Sequence, residues 1–170
     1  VYCTDEDFRI MAEKGIVLVH NPTSNMKLGS GFARIVRAME LGVKVALGTD
    51  GCASNDNLDM FEEMHLASLI HKGLAKDPTV LKPWDVIEMA TYGNELAVGR
   101  SADLCVVSLD SIHAAPALDL PNLVVHSLHA SDVIETIVAG EVVYERGSFP
   151  KIDQAKARAE FLAAVKRIGL

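Results

Sequence analysis

Along the first half of the chain, apolar positions switch between two spacings. Phe8, Met11 and Ala12 fall at helical intervals, with Thr4 and Asp7 placed as a capping pair before them and Gly15 as a terminator after them. Ile16–Val19 and Val43–Leu47 are short, nearly uninterrupted aliphatic runs, and each predicts a strand. The stretch between them opens with HNPTSNMKLGSG, whose Asn, Pro, Ser and Gly content predicts an irregular loop. Phe32, Ile35, Val36 and Met39 then form an apolar stripe closed by Gly42. Leu58 to about Lys72 predicts a longer helix, and Trp84–Thr91 a short one begun by Pro83 in the favoured first position. The order helix, strand, helix, strand, helix predicts an α/β fold with a parallel sheet.

After Gly99 the pattern changes. ADLCVVSL, LVVHSL, VIETIVAG and EVVYERG read as short strands separated by turn signals, and Asp153 caps a helix carrying Phe161, Leu162, Val165 and Ile168. A closed (β/α) barrel needs roughly 200 residues or more. The expectation is therefore that the first half is the last part of a barrel whose beginning is absent, in keeping with a chain that opens on Val1.

Composition narrows the class. Hydrophobic residues make up 49% of the 170 positions, mean hydropathy is +0.21, and aromatics are only 5%, so the core is aliphatic, as in parallel sheets covered by helices. Net charge is −7 with scattered basic residues, which argues against nucleic acid and anionic membrane as partners. The three cysteines, Cys3, Cys52 and Cys105, form no CxxC pair, so neither a disulfide framework nor a structural zinc knuckle is expected, and a reducing, cytoplasmic setting fits. No apolar run reaches membrane-spanning length, and no signal peptide precedes the first helix.

Candidate chemistry centres on VKVALGTDGCASNDNLDMFEEM, where Asp50 sits at the end of an expected buried strand. Asp-Gly is a strong hairpin signal, yet the following apolar segment has helical spacing and offers no hairpin partner. The carboxyl ends of barrel strands carry reacting groups, so turn former and functional carboxylate both stay open on spacing alone. Ser54 and Asn55 share that loop, where either could be a cap or turn residue, and for Asn55 this is the plainer role. His20, at the end of the other strand, is either a ligand or a hydrogen-bonded structural residue. His126 and His129, read as lying on a strand, would point to opposite faces and could not share a metal. His65 and His71 fall on the Leu58–Lys72 helix, away from the strand ends, as surface or packing residues. Glu62 and Glu63 read as a solvated face near a helix start. Cys52, without a basic neighbour, reads as a small packed side chain rather than a nucleophile.

HNPTSNMKLGSGFARI, followed by GVKVALGTDGCASNDNLDMFEEMHLASLIHK and the later GRSADLCVV, strongly resembles the amidohydrolase superfamily. The similar branch is that of S-adenosylhomocysteine/5′-methylthioadenosine deaminases and triazine chlorohydrolases. The resemblance spans the whole chain. It implies a metal-dependent (β/α)8 barrel with a small β-sandwich: residues 1–98 as the last βα units, 99–150 as C-terminal sandwich strands, and 151–170 as a terminal helix. It further implies that Asp50 is both metal ligand and proton shuttle, and that Ser54 contacts substrate. One divalent ion, zinc, is the implied cofactor, with its remaining ligands expected upstream of Val1. TYGNELAVGRSADL is shorter than the family's connection into the sandwich.

The leading expectation is part of an aminohydrolase that releases ammonia from an adenosine-type nucleoside, inactive on its own. A small molecule is the expected partner, and a homo-oligomer is compatible. Alternatives are an s-triazine chlorohydrolase, a guanine-type deaminase or, in another class, a catalytically silent module that depends on a partner.

Overall fold

Thr4 opens the first helix, α1 (Asp5–Glu13), with the expected capping box: its hydroxyl accepts the Asp7 N–H while the Asp7 carboxylate accepts the Thr4 N–H. The computed structural model describes residues 1–92 and 94–169. Gly93, within the short connection noted above, and Leu170, the last residue of the expected terminal helix, lie outside the described residues. The chain forms two units, Val1–Glu95 with Leu109–Ala130, and Leu96–Ser108 with Ser131–Leu170.

In the first unit, Gly15 at φ +65° ends α1 and the chain enters β1 (Val17–His20). Two short helices follow, α2 (Pro22–Lys27) and α3 (Ile35–Glu40), and Gly42 at φ +83° turns the chain into β2 (Lys44–Leu47). The strands pair in parallel and in register, from Val17 beside Lys44 to His20 beside Leu47. Asp59 caps α4 (Met60–Ala75), and Pro83 starts α5 (Pro83–Thr91) as expected. Ile35, Leu47, Met64, Ala67, Val86 and Met89 belong to the main core, and Phe8, Ala38 and Val43 to a second cluster. Full burial of a side chain such as Ile35 contributes about 1.5–3 kcal/mol. Asp5 joins α1 to α3 by accepting from Arg34 at 2.7 Å and from Arg37 at 2.7 and 3.0 Å.

Two segments differ from the sequence expectation. The stretch read as an irregular loop contains α2, because Pro22 occupies the first helical turn and needs no N–H partner there. LVVHSL, read as a strand, lies mostly within α6 (Leu120–His126), whose start is fixed by Pro121 and by the Asp119 carboxylate accepting the Asn122 N–H.

In the second unit, β3 (Leu104–Val107), β4 (Val133–Val138) and β5 (Glu141–Glu145) make an antiparallel sheet in that order. Ala139 and Gly140, at φ +51° and +80°, form the tight turn between β4 and β5. The Ala139 N–H donates to Asp103 at 2.6 Å, tying that turn to the residue before β3. Asp153 caps α7 (Gln154–Arg167) by accepting the Lys156 N–H, but α7 buries no residue, and Phe161 of its apolar stripe is 66% exposed. Among the described residues, no helix is long and apolar enough to cross a membrane.

Candidate active site

Because β1 and β2 are parallel and in register, their carboxyl ends finish side by side. The Gly48 N–H donates to the His20 carbonyl at 3.0 Å, extending the pairing one residue beyond β2. A Cβ on Gly48 would sit 2.5 Å from Asn21 Oδ1 and 2.8 Å from Val19 Cγ1, so a larger residue there would force those side chains to shift. Past it, Asp50 adopts φ +60°, a left-handed conformation that a short polar residue tolerates and that reverses the chain at the strand end. Strained backbone of this kind gathers at functional sites. Asp50 thus forms the turn and stands at the carboxyl end of the strand pair, the end where barrel strands deliver their reacting groups.

The Asp50 carboxylate is well served with donors. Oδ2 accepts the Ser24 hydroxyl at 2.6 Å and Oδ1 accepts the Gly51 N–H at 2.7 Å. The Ser24 hydroxyl, the Gly51 amide and the Ser54 hydroxyl together hold its pKa below the ordinary carboxylate value, with Ser24 the largest cause. Asp50 is exposed and ionised at neutral pH, and Ser54, half-buried, stands beside it in a turn where Ser54 and Asn55 both donate backbone N–H to the Gly51 carbonyl.

Three further side chains lock α2 to the loop that follows β2. Lys27 donates to the Ala53 carbonyl at 3.2 Å and to Asp56 at 2.7 Å. Glu63, expected on a solvated face, is instead 1% exposed: one oxygen accepts the Thr23 N–H at 3.2 Å and the other accepts Asn55 Nδ2 at 2.5 Å. Asn55, itself buried, uses its oxygen to accept the Asn57 and Leu58 N–H groups at 3.1 and 3.2 Å. Ser24 and Glu63 were the residues sequence reasoning passed over. The signal for Glu63 was available, since Met60, Met64, Ala67 and His71 place the buried face of α4 on the same side.

Four of the histidines, His20, His65, His71 and His126, meet one another in pairs. His20 is buried with its Nε2 3.2 Å from His71 Nε2, so His71 meets a strand end rather than standing away from it. Burial, then the neighbouring His71, pushes His20 down to about 3, and burial pushes His71 down to about 4, so both rings are neutral at pH 7. His65 Nδ1 lies 3.3 Å from the Val125 carbonyl and its ring meets His126 edge-on. His126 ends a helix, so the strand argument about His126 and His129 does not apply. Ser68, Lys72 and His126 look like a nucleophile cluster, but Ser68 is fully buried and the Lys72 ammonium donates both to it, at 2.7 Å, and to the Leu81 carbonyl, at 2.6 Å. Such an ammonium is a structural donor. Cys52 is exposed rather than packed. A hollow of about 480 Å³ opens at the amino end of β2 beside Val43, Lys44, Asp85 and Tyr92, at the opposite end of the strand from Asp50.

Among the described residues no three His, Cys, Asp or Glu side chains converge as a metal-binding group. Asp50 is an exposed carboxylate at the strand end, kept ionised and oriented by side-chain and backbone donors.

Parallel strands with flanking helices and a carboxylate at a strand's carboxyl end have the arrangement of the rim of a βα barrel. The chain belongs to the amidohydrolase family, whose model matches residues 1–143. It is 41% identical over 179 residues to the 5-methylthioadenosine/S-adenosylhomocysteine deaminase of Acetivibrio thermocellus, an alignment taking in 99% of this chain and 42% of that protein. Its fold matches a zinc-bound adenosine deaminase from Xanthomonas campestris with a TM-score of 0.93 at 30% identity, covering 98% of this chain and 40% of that one. It also matches the zinc complex of atrazine chlorohydrolase from Arthrobacter aurescens, with a TM-score of 0.84 at 26% identity over 96% and 39% of the two chains. The chain thus spans about two fifths of the length of the relatives it matches.

Proposed function

We propose that this chain supplies the C-terminal part of a metal-dependent aminohydrolase that deaminates an adenosine-type nucleoside, such as S-adenosylhomocysteine or 5′-methylthioadenosine. The observation that carries the reading is the exposed, ionised Asp50 held by Ser24 at the carboxyl end of β2, in a chain 41% identical to a deaminase of that kind. A divalent ion, zinc as in the structural relatives, would take Asp50 as one ligand and supply a water acidified toward neutrality. The other ligands would come from outside this chain.

Asp50 accepts the proton that the attacking water gives up and returns it to the departing amine. Ser24 and Gly51 keep the carboxylate aimed while it does so, and their hydrogen bonds favour its ionised form at the start of the cycle. Ser54 offers a hydroxyl from the same rim to the substrate. Hydrolytic displacement of chloride from a triazine is the second reading, favoured by the match to atrazine chlorohydrolase, because the same carboxylate would serve either leaving group.

The test is release of ammonia and of chloride by the full product of the reading frame, assayed on S-adenosylhomocysteine, methylthioadenosine, adenosine, guanine and a chlorotriazine under identical conditions. The nucleosides are expected to lead, and Ser54→Ala to weaken kcat/KM by roughly the 1–2 kcal/mol of a lost hydrogen bond. Dominant chloride release or guanine turnover would overturn the substrate assignment.

A further inference from the structure

We infer that Glu63 and Asn55 form a buried clamp that positions Asp50. The inference rests on the reading of Asp50 as the reacting carboxylate, but its geometry stands apart from the substrate. Two loops must meet for Asp50 to be aimed: α2, which carries Ser24, and the turn from Gly48 to Asp59, which carries Asp50 and Ser54. Neither segment is long enough to hold itself. α2 has only six residues and no side-chain cap.

Glu63 reaches both from the first turns of α4. Its two oxygens are divided between them, one on the Thr23 N–H of α2 at 3.2 Å and one on Asn55 Nδ2 at 2.5 Å. Asn55 then spends its remaining oxygen on the Asn57 and Leu58 amides, which fixes the loop as it enters α4. Thr23 is the neighbour of Ser24, and Asn55 the neighbour of Ser54, so the clamp grips each loop one residue from the side chain that serves Asp50. Glu63 and Asn55 are each 1% exposed, so no water competes for these bonds, and a partner removed here leaves a buried group unsatisfied. Glu63 touches no reacting atom. It is a positioning residue, acting through Ser24 and the Asp50 turn.

The hydrogen-bond polarity gives a sharp test. In Glu63→Gln the new amide can accept from Thr23 only by turning its NH2 toward that of Asn55, a donor against a donor. In Asn55→Asp two carboxylates face each other at the same short separation. The double variant Asn55→Asp/Glu63→Gln reverses the polarity and restores every contact: the amide introduced on α4 donates to the new carboxylate, which still accepts from Asn57 and Leu58. Amide exchange at Thr23, Leu58 and Gly51 in the full product reads the clamp and its effect on Asp50, whose Oδ1 the Gly51 N–H holds.

Each single variant is expected to speed exchange at all three amides by about tenfold or more, and the double variant to bring them back to within about threefold of the parent. Turnover should follow the same order, with kcat falling about tenfold in the singles, KM changing less, and the swap recovering most of the loss. Unchanged exchange in Glu63→Gln, or a double variant as disturbed as the singles, would overturn the clamp. Restored Thr23 and Leu58 amides with Gly51 never affected would overturn its link to Asp50. Should the parent turn over no nucleoside, the functional reading fails while the exchange pattern still decides this one.

Discussion

The two units are built on opposite terms. Every buried hydrophobic residue among those described lies in the first, from Phe8 through Met89 and from Ala114 to Leu128, whereas the only buried residue named in the second is Asp132. The first unit also carries every histidine in the chain and the cross-linked rim around Asp50. The second is held by antiparallel ladders, a tight turn and a capped but unburied helix. A site that must aim one carboxylate needs rigid, satisfied neighbours, and such neighbours are found where the core is. The first unit therefore offers the more rigid setting for the chemistry proposed for Asp50.

The largest effect should therefore come from the core. Phe8→Ala removes a 1% exposed ring packed with Ala38 and Val43 and is expected to destabilise the chain by about 3–5 kcal/mol, whereas Phe161→Ala on α7 should stay within about 0.5 kcal/mol. Urea unfolding of both variants checks the pair, and comparable losses would erase the contrast between the units. Gly48→Ala follows at about 1–3 kcal/mol, because its Cβ would land 2.5 Å from Asn21 Oδ1 and push the β1 and β2 ends apart. Gly73→Ala, with nothing near its Cβ, is the control and should be neutral or better.

A smaller and graded effect is expected from pH. His20 and His71 titrate at about 3 and about 4 in the folded chain, against 6.5 unfolded. Below pH 6.5 the unfolded chain therefore takes up protons that the folded chain does not. The stability due to this pair is complete above pH 6.5 and declines as pH falls toward 4. The lowered carboxylates of the second unit, Asp103 and Glu141, keep their contribution above their ordinary values of 3.8 and 4.5 and lose it only below them. Melting followed between pH 7 and about 5 should thus report the first unit alone. A flat profile there, or one that His71→Gln leaves unchanged, would contradict the assignment.

How much of this was legible in the sequence depends on the range of the interaction that decides each element. Caps act locally, so Thr4, Pro83 and Asp153 marked α1, α5 and α7 correctly. Apolar spacing likewise revealed both parallel strands to within a residue. α2 was missed because its Asn and Ser residues favour loops, and part of what holds it is the carboxylate of Glu63, distant in sequence. α6 was missed because LVVHSL is β-branched and apolar, while Asp119 and Pro121 lie just outside the motif. The burial of Glu63 and the meeting of His71 with His20 are tertiary facts, although the position of Glu63 on the buried stripe of α4 hinted at the first. Asp50 was singled out by its place at the end of an expected strand, and the roles expected of Asp50 and Ser54 came from motif resemblance. The Ser24 hydroxyl that aims Asp50 comes from a segment whose helical shape the sequence concealed.

Everything proposed for the rim of the first unit depends on Asp50 being the reacting carboxylate. The direct measurement is ammonia release from an adenosine-type nucleoside by the full product carrying Asp50→Asn, beside the parent, with melting temperature recorded for both. Turnover is expected to fall by about a thousandfold or more at a nearly unchanged melting temperature, because the amide can neither take up the water's proton nor bind a metal as a carboxylate does. Turnover within about tenfold of the parent in a folded Asp50→Asn protein would contradict that role.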